Sequence, residues 1–351
     1  MISKLRHIYG FLRGQRDKRN ALKKVKNSVA QKSYYPESDL KSNKEQRKDL
    51  KVWAKKYHEY NEFYTLYGFD LQGEGKQDDY IDYLGFMNTR NIVNRIGQVD
   101  CQAVLLRDKY LFFKYMKSCK MPVPEVFGVI DNGKYYDVNY NGLAEKDICS
   151  NVDFFIKESE GECASFVKHI NSWDELKFYQ DKLQEGKYIL QRRVLQATEM
   201  NAIYSASINT YRIVTINKNG NPYVLTSLLR VGTSTSGNVD NWAAGGLAIG
   251  INLQTGRLKK YGFYKPKYGT KVATHPDSKI IFEQTEAPRY KEAVEIALKA
   301  AQCLYGIRAI GWDIAITADG PIIIEGNDNW EISLNQACDR PLRKEWEMAI
   351  N

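Results

Sequence analysis

The alternation of apolar and polar residues changes along the chain and divides it into three regions. Residues 1–100 are polar, rich in Lys and Tyr, and show no run of alternating strands, so they are predicted to be mostly helical. A helix predicted over 102–120 is followed by short apolar strands up to residue 190. Residues 191–351 hold two long hairpins, a Gly-rich loop and one more helix. Strands mixed with flanking helices predict an α+β fold with boundaries near residues 100 and 190.

The last predicted hairpin, GWDIAITADGPIIIEGN, is almost wholly apolar but carries two carboxylates. Centring it on the Asp of its turn places Asp313 opposite Glu325 and Ile314 opposite Ile324, with Asn327 on the same face as the two acids. Like charges opposed across a hairpin repel each other, and burying them unpaired costs still more free energy. Two carboxylates and an amide oxygen suit Mg²⁺ or Mn²⁺. The alternative, to which the hairpin alone gives equal weight, is an exposed face or pairing with Lys or Arg.

The net charge of +9 is concentrated at the N-terminus, because residues 1–26 alone carry nine Lys or Arg and one acid. The remainder is nearly neutral, which argues against a general nucleic-acid binder. Apolar residues recur at helical spacing in this basic segment, so it is either an amphipathic helix for an anionic membrane or a partner, or a helix packed on the domain. We favour packing. The six cysteines are scattered, as expected for reduced thiols in the cytosol, and no apolar run approaches the roughly 18 residues of a membrane span.

Four cationic residues lie where they could meet an anionic ligand. Lys109 lies in an RDK turn of a helix, and Lys157 ends a strand before a loop of small residues. Arg212 and Arg230 lie on paired strands and could face one site. Each has an ordinary alternative, which is a solvated lysine at a strand end or an arginine paired with a structural acid.

Two loops offer further candidates for substrate binding. The segment GNVDNWAAGG supplies Asn241 and the flexible pair Gly245 and Gly246, and His275 lies in the loop THPD. The alternative for the first is a surface turn, and a lone loop histidine is more often incidental. The sequence contains neither GxGxxG nor GxxxxGK[ST], so it supports neither a Rossmann dinucleotide site nor a P-loop.

Taken in order, these segments resemble the ATP-grasp superfamily, and most of all its sugar-transfer-associated branch. The resemblance covers roughly residues 100–340 and runs through RDKYLFFKYMKSCKMPVPEVFG, DFFIKESEG, YILQRRV, INTYRIVT, LLRVG with VDNWAAGG, HPD, GWDIAIT and IIIEGN. It implies two α+β subdomains, 101–190 and 191–351, that clamp ATP behind a helical, basic region, 1–100.

The resemblance also implies roles for particular residues. Lys109 and Lys157 would contact nucleotide phosphates, and one or two Mg²⁺ ions would be held by Asp313, Glu325 and Asn327. The backbone of the segment linking the subdomains would bind adenine; its residues are Gln191, Arg192, Arg193 and Val194. Many ligases of the superfamily carry Arg two residues before the metal-binding Asp, where this chain has Gly311. Arg212 or Arg230 would then supply that positive charge.

The reaction implied is that of an ADP-forming carboxylate–amine ligase, which works through an acyl phosphate. In the sugar-linked branch, the expected substrates are an amine or amino acid and a carboxylate on a sugar or polysaccharide precursor. We expect a cytoplasmic protein, with residues 1–26 available to a lipid-linked glycan at the inner membrane face. Two alternatives remain open: a kinase of a sugar or glycan hydroxyl, and a non-catalytic nucleotide-binding scaffold.

Overall fold

The computed structural model describes residues 2–27, 31–73, 77–94, 102–144, 147–148, 153–160, 166–237 and 239–351, with side chains from residue 12 onward. Its architecture confirms the predicted α+β class, because a helical N-terminal region precedes two antiparallel sheets. A five-stranded sheet comes first in the chain, and a seven-stranded sheet follows it.

The described part of the N-terminal region contains the α-helices α1 (Ile2–Asn27), α2 (Asn43–Tyr57) and α3 (Tyr83–Val93). The Ser42 hydroxyl and the Glu45 carboxylate cap the start of α2 reciprocally, in the capping-box arrangement. Near the end of α1, Ala21 and Val25 are buried in a cluster that also contains Trp53 of α2. The described part of α1 is therefore packed on the protein, as in the interpretation we favoured; binding to a membrane surface stays a prediction.

The first sheet has the strand order β2-β1-β5-β3-β4, with antiparallel pairing throughout. Its strands are β1 (Val126–Asp131), β2 (Lys134–Tyr136), β3 (Phe154–Glu158), β4 (Val167–Ile170) and β5 (Lys187–Arg192). The helix before it is interrupted at residue 108, giving α4 (Val104–Arg107) and α5 (Lys109–Ser118). Two short helices, α6 (Trp173–Phe178) and α7 (Gln180–Leu183), connect β4 to β5 and help to cover its core.

The second sheet has the order β10-β9-β8-β7-β6-β11-β12. Its strands are β6 (Thr210–Lys218), β7 (Asn221–Val231), β8 (Leu247–Ile251), β9 (Leu258–Phe263), β10 (Lys271–Val272), β11 (Ala309–Thr317) and β12 (Gly320–Asn327). A short helix, α8 (Thr198–Ile203), precedes it, α9 (Tyr290–Cys303) crosses one face, and α10 (Ser333–Cys338) and α11 (Arg343–Ile350) end the chain.

Strand alternation gives the second sheet two different faces. Tyr211 and Ile213 of β6 pack in the cluster that includes α9, whereas Val214 packs with Trp330 and Trp346 on the opposite face. Arg212 shares that opposite face, because its side chain alternates with those of its neighbours along the strand. The N-terminal region covers the same face further across the sheet, where Tyr34 and Leu66 join Leu228 and Ala248 in one cluster.

The hairpin β11–β12 confirms that Asp313 lies opposite Glu325. The predicted pairing of Ile314 with Ile324 is wrong, because Ile314 pairs with Ile323. The turn contains two residues instead of three and ends at Gly320, whose φ of 139° suits glycine. A bulge between Asp313 and Ile314 then restores the pairing of the two carboxylates.

Candidate functional site

A buried cluster of charged residues lies on the second sheet and is centred on Asp313. Arg212 is its direct neighbour on β6, and its guanidinium donates two hydrogen bonds to the carboxylate, Nε to Oδ1 at 2.5 Å and Nη2 to Oδ2 at 3.0 Å. Arg230 of β7 donates a third, from Nη1 to Oδ2 at 3.0 Å. Burial alone would raise the pKa of Asp313, but the two guanidinium groups hold it well below its usual range. Asp313 is therefore an anion held in place from two sides.

Arg230 also connects this cluster to the loop that follows β7. Its Nη2 donates to Asp240 Oδ1 at 2.8 Å, and the Thr210 hydroxyl donates to the other Asp240 oxygen. Asp240 was missed by the sequence reasoning, although it directly precedes the candidate Asn241. The available signal was an acid in a Gly-rich loop close in sequence to a candidate arginine. Arg212 and Arg230 thus both bind Asp313, and Arg230 also binds Asp240.

Glu325 and Asn327 stand beside Asp313 on the same face of the hairpin. The Asn327 amide donates to Glu325 Oε1 at 3.2 Å and to the Gly311 carbonyl at 3.4 Å. Burial, together with the neighbouring Asp313 carboxylate, raises the pKa of Glu325. Asp313 is paired with two arginines, which is the alternative that the sequence left open for this acid and for Arg212 and Arg230. The oxygens of Asp313, Glu325 and Asn327 are nevertheless of the type that Mg²⁺ prefers, and they would hold the ion if it binds here. No cluster of three or more His, Cys, Asp or Glu side chains arranged to hold a metal occurs in the part of the chain that the structure describes.

The first sheet contributes Lys157, at the end of β3. Its ammonium donates to the Gln191 side-chain oxygen at 2.6 Å. Burial lowers the pKa of Lys157 to about 8, while Glu325 acts to raise it and Lys109 to lower it further. The charges of Glu325 and Lys109 therefore both lie near enough to Lys157 to influence its pKa.

Lys109 is held by the turn that begins α5. Asp108 caps the helix by accepting from Leu111 N at 2.9 Å, and it also accepts from the Ser159 hydroxyl at 2.9 Å. The backbone N–H of Lys109 donates to the Ser159 carbonyl at 2.8 Å. The turn is therefore fastened to the residues just after Lys157, which explains why the two lysines lie close together.

A second connection to this turn was also missed from the sequence. Arg107 donates to both carboxylate oxygens of Asp328, at 3.1 and 2.6 Å, and Asp328 directly follows Asn327. Asp328 is buried, so the fork-shaped pair ties the RDK turn to the end of the metal-candidate hairpin. One hint of this pair was present in the sequence: Arg107 begins the RDK turn, and Asp328 directly follows the hairpin segment IIIEGN.

The four candidates of the linker begin at the end of β5, where Gln191 and Arg192 still pair with β3. The Arg192 guanidinium lies 4.7 Å over the Phe127 ring, and Arg193 reaches Asp153 at 3.5 Å. Val194 is half-buried. Among the four candidates of this segment, Gln191 is the one whose side chain contacts Lys157.

The loop candidates have mainly structural contacts. The Asn241 side chain accepts from Ala243 N at 2.9 Å, and a Cβ on Gly246 would lie 2.7 Å from the Asp240 carbonyl oxygen. Gly245 adopts a φ of 105° and ends a 3₁₀ turn. His275 is fully buried; its Nε2 lies 2.9 Å from the Gly232 carbonyl, and its Nδ1 accepts from two backbone N–H groups of its own loop. The Asn241 side chain therefore caps its own turn, and the His275 ring contacts the backbone of its own loop and of Gly232.

Comparison with known proteins gives one matching family model and several similar solved structures. The family model described as "Sugar-transfer associated ATP-grasp" matches residues 93–348. A search of curated protein sequences gives no significant match. Similar solved structures include an L-amino acid ligase from Bacillus licheniformis, with 12% identity, a TM-score of 0.42, and coverage of 72% of this chain and 47% of that one. A D-alanine–D-alanine ligase from Bacillus anthracis has 10% identity, a TM-score of 0.37, and coverage of 64% and 56%.

A third similar structure is N5-carboxyaminoimidazole synthase from Aspergillus clavatus in complex with ADP and 5-aminoimidazole ribonucleotide. It has 9% identity, a TM-score of 0.42, and coverage of 71% of this chain and 51% of that one. The match to these structures spans about half of their own length.

The protein has the ATP-grasp fold, as the sequence resemblance predicted. Because the family model covers well over half of the chain, the protein belongs to the sugar-transfer-associated ATP-grasp family. No helix in the described ranges has both the length and the apolar character that crossing a membrane requires.

Proposed function

We propose that this protein is an ADP-forming carboxylate–amine ligase that uses ATP and Mg²⁺ or Mn²⁺. It would join an amine or amino acid to a carboxylate carried by a sugar or polysaccharide precursor. One observation supports the proposal above all others: Asp313 and Glu325 are paired directly opposite each other in the β11–β12 hairpin, and the charge of Glu325 influences the pKa of Lys157 on the other sheet. Family membership supports ATP as the co-substrate.

In this proposal the lysines bind the nucleotide and the hairpin binds the metal. Lys157 and Lys109 donate to phosphate oxygens, which replace the neutral Gln191 oxygen as the partner of Lys157. The backbone of residues 191–194 binds the adenine. Asp313, Glu325 and Asn327 would hold the metal, which would supply positive charge to stabilise the transferring phosphoryl group.

Arg212 and Arg230 take the place of the arginine that many ATP-grasp ligases carry two residues before the metal-binding Asp. A Cβ at Gly311 would lie 2.7 Å from the Trp330 Cβ and 3.4 Å from the Arg212 Cδ. The space beside Gly311 is therefore occupied by the Trp330 and Arg212 side chains, and Arg212 brings positive charge to this region. Both guanidinium groups are fixed on Asp313, so they need little reorganisation to stabilise a developing oxyanion.

The chemistry would proceed in two balanced steps. An oxygen of the substrate carboxylate attacks the γ-phosphorus, the bond to the β-phosphate oxygen breaks, and ADP leaves. The amine then attacks the acyl carbon, loses a proton, and expels phosphate. We propose that the Asn241–Gly246 loop, anchored to Arg230 through Asp240, borders the substrate, and that His275 positions this loop from behind through Gly232. We place the reaction in the cytoplasm, with α1 available to a lipid-linked acceptor.

The test is a drop-out assay on the purified protein. Mg-ATP is incubated with a pool of uronic acids and amino acids, and ADP and free phosphate are followed as each component is omitted. ADP and phosphate that require both an acid and an amine would support the ligase. Phosphate retained on a single acceptor would overturn it in favour of a kinase. Nucleotide binding without turnover would overturn it in favour of a non-catalytic binder.

A further inference from the structure

The helix α3 of the N-terminal region ends against the metal-candidate hairpin. Asn94 caps the C-terminus of α3, and its backbone N–H donates to the Arg90 carbonyl one turn earlier. Both side chains are polar and buried, since Arg90 is 1% exposed and Asn94 5%. Almost all of α3 precedes residues 93–348, the segment that the family model matches. The family match therefore assigns no role to this helix.

The Asn94 side chain closes the open end of the β11–β12 hairpin. The described pairing of the two strands stops at Gly311 and Asn327, two residues short of Ala309 on β11. Asn94 Oδ1 accepts from Ala309 N at 2.8 Å, and Asn94 Nδ2 donates to the Ala309 carbonyl at 2.9 Å. One primary amide thus supplies the acceptor and the donor that a residue of a neighbouring strand would supply.

The same helix holds the chain just beyond the hairpin, residues 328–330. Asn94 Nδ2 also donates to the Asp328 carbonyl at 2.8 Å, and Arg90 Nη1 donates to the Trp330 carbonyl at 2.5 Å. The Phe86 ring of α3 meets the Trp330 ring edge-on, with centroids 4.8 Å apart. Two buried polar side chains and one aromatic contact therefore fix both the backbone and a side chain of this segment.

The position of residues 328–330 matters because Asp328 is held at both of its ends. Its carbonyl accepts from Asn94, and its carboxylate accepts two hydrogen bonds from Arg107, at 3.1 and 2.6 Å. Arg107 begins the RDK turn, which carries Lys109. Asp328 also directly follows Asn327 of the candidate metal-binding set. A continuous series of hydrogen bonds thus runs from α3 through Asp328 to the turn of Lys109.

We infer that Asn94 and Arg90 are positioning residues of the nucleotide site. They hold residues 328–330 where Asp328 can bind Arg107, and so they fix Lys109 relative to the hairpin carboxylates. The inference rests on the proposed function for the roles of Lys109 and the hairpin. Asn94 and Arg90 themselves act through Asp328 and Trp330, because groups that bind a ligand need neighbours that hold them in the productive geometry.

The experiment is a double-mutant cycle on the full chain, with the Kd for Mg-ADP measured by isothermal titration. Asn94→Ala removes the bond to the Asp328 carbonyl, and Arg107→Met removes the bonds to its carboxylate. Each single variant should raise the Kd about five-fold. The double variant should raise it little more than either single variant, because both act through Asp328. Independent residues would instead give the product of the two effects, about 25-fold.

Asn217→Ala is the matched control, because Asn217 is another buried asparagine of the second sheet. It is 7% exposed, and its Nδ2 donates to the Ala301 carbonyl on α9, away from residues 328–330. It should lower stability as a lost buried amide does, but leave the Kd for Mg-ADP within about two-fold of the wild type. A merely structural role for Asn94 would make the two alanine variants alike in Kd. That result, or a full 25-fold effect in the double variant, would overturn the inference.

Arg90→Met is a second variant that decides the question if Asn94→Ala does not fold. It removes the donor to the Trp330 carbonyl and leaves no buried charge behind. We expect it to raise the Kd for Mg-ADP about five-fold, with little further change when it is combined with Arg107→Met. A wild-type Kd in Arg90→Met would overturn the role of α3.

Failure of this inference and failure of the proposed function give different results, since Mg-ADP binding is measured without acid or amine. The expected pattern of Kd values without any turnover would support the role of α3 and overturn the ligase. Turnover that requires both an acid and an amine, with a wild-type Kd for Mg-ADP in Asn94→Ala and Arg90→Met, would support the ligase and overturn the role of α3.

Discussion

The two sheets present their charges to the gap between them in opposite ways. On the seven-stranded sheet, Asp313 receives hydrogen bonds from two guanidinium groups, and Arg230 shares a further carboxylate. On the five-stranded sheet, Lys157 has a neutral amide oxygen as its hydrogen-bond partner and a lowered pKa. Paired buried charges fix a geometry, whereas a buried cation without a directly bonded anion favours an incoming one. We therefore expect the second sheet to lose stability when one member of its charge pairs is removed, and the charge on the first sheet to matter for binding an anionic ligand.

The largest expected effect comes from removing the Asp313 charge. Asp313→Asn should lower the free energy of unfolding by about 3 kcal/mol, because it leaves two buried guanidinium groups without their shared carboxylate. Arg230 keeps its bond to Asp240, which sets the value at the lower end of the range for broken buried pairs. ATP turnover should fall by about 100-fold or more. Denaturant unfolding and the ADP-release assay measure the two effects.

Asp339→Asn is the matched control, because Asp339 is equally buried and is paired with Lys259 and Arg340 away from the site. It should destabilise the protein comparably and leave the Kd for Mg-ADP unchanged in the folded protein. The contrast between the sheets fails if Asp313→Asn unfolds like the wild type.

The second effect tests the opposite sheet. Lys157→Met should raise the Kd for Mg-ADP by about 10- to 100-fold, since a charged hydrogen bond to phosphate is lost. Stability should be unchanged or higher, because the variant removes a cation whose charged form is disfavoured by burial. Isothermal titration and denaturant unfolding give both values. Lys168→Met, an exposed lysine on the neighbouring strand β4, is the control and should change neither. A large loss of stability in Lys157→Met would show that this lysine is structural.

The sequence allowed the fold class and the opposed carboxylates to be predicted because both follow from local patterns. Strand alternation and a short turn were enough to place Asp313 opposite Glu325. The turn has two residues and not the predicted three, which shifts the pairs next to it by one residue. The bulge between Asp313 and Ile314 shifts the register back, so Asp313 still pairs with Glu325. Bulges depend on how a strand meets its neighbours, so the sequence of one hairpin does not determine them.

The pairs that organise the site could not be predicted in the same way. Asp240 and Asp328 lie far along the chain from Thr210 and Arg107, and only the folded sheets bring them together. Contacts between distant segments leave no pattern in the local sequence. Both missed acids, Asp240 and Asp328, nevertheless lie directly beside residues that the sequence had singled out.

A third prediction concerns how tightly the second sheet is packed around its charges. Gly311→Ala places a Cβ within 2.7 Å of the Trp330 Cβ, so the backbone or the indole must shift. We expect a loss of about 1–3 kcal/mol in the free energy of unfolding, as for other overpacked sites. Gly142→Ala is the control, because nothing lies within 4 Å of a Cβ there and its φ is not positive. Equal stabilities of the two variants would mean that Gly311 is not required by packing.

The smallest effect is a pH dependence that belongs to the first sheet alone. Lys157 has a pKa lowered to about 8, so in the free protein it loses its positive charge as pH rises from 7 to 9. We expect the nucleotide to bind the protein in which Lys157 is protonated. The Kd for Mg-ADP should therefore rise several-fold from pH 7 to 9, because Lys157 must take up a proton before the nucleotide binds. Lys157→Arg keeps a guanidinium that stays charged throughout, so its Kd should be nearly constant. Titrations with Mg-ADP at pH 7, 8 and 9 measure both proteins. A wild-type Kd as constant as that of Lys157→Arg would mean that Lys157 is charged through this range or does not contact the phosphates, and the contrast between the two sheets would lose its electrostatic basis.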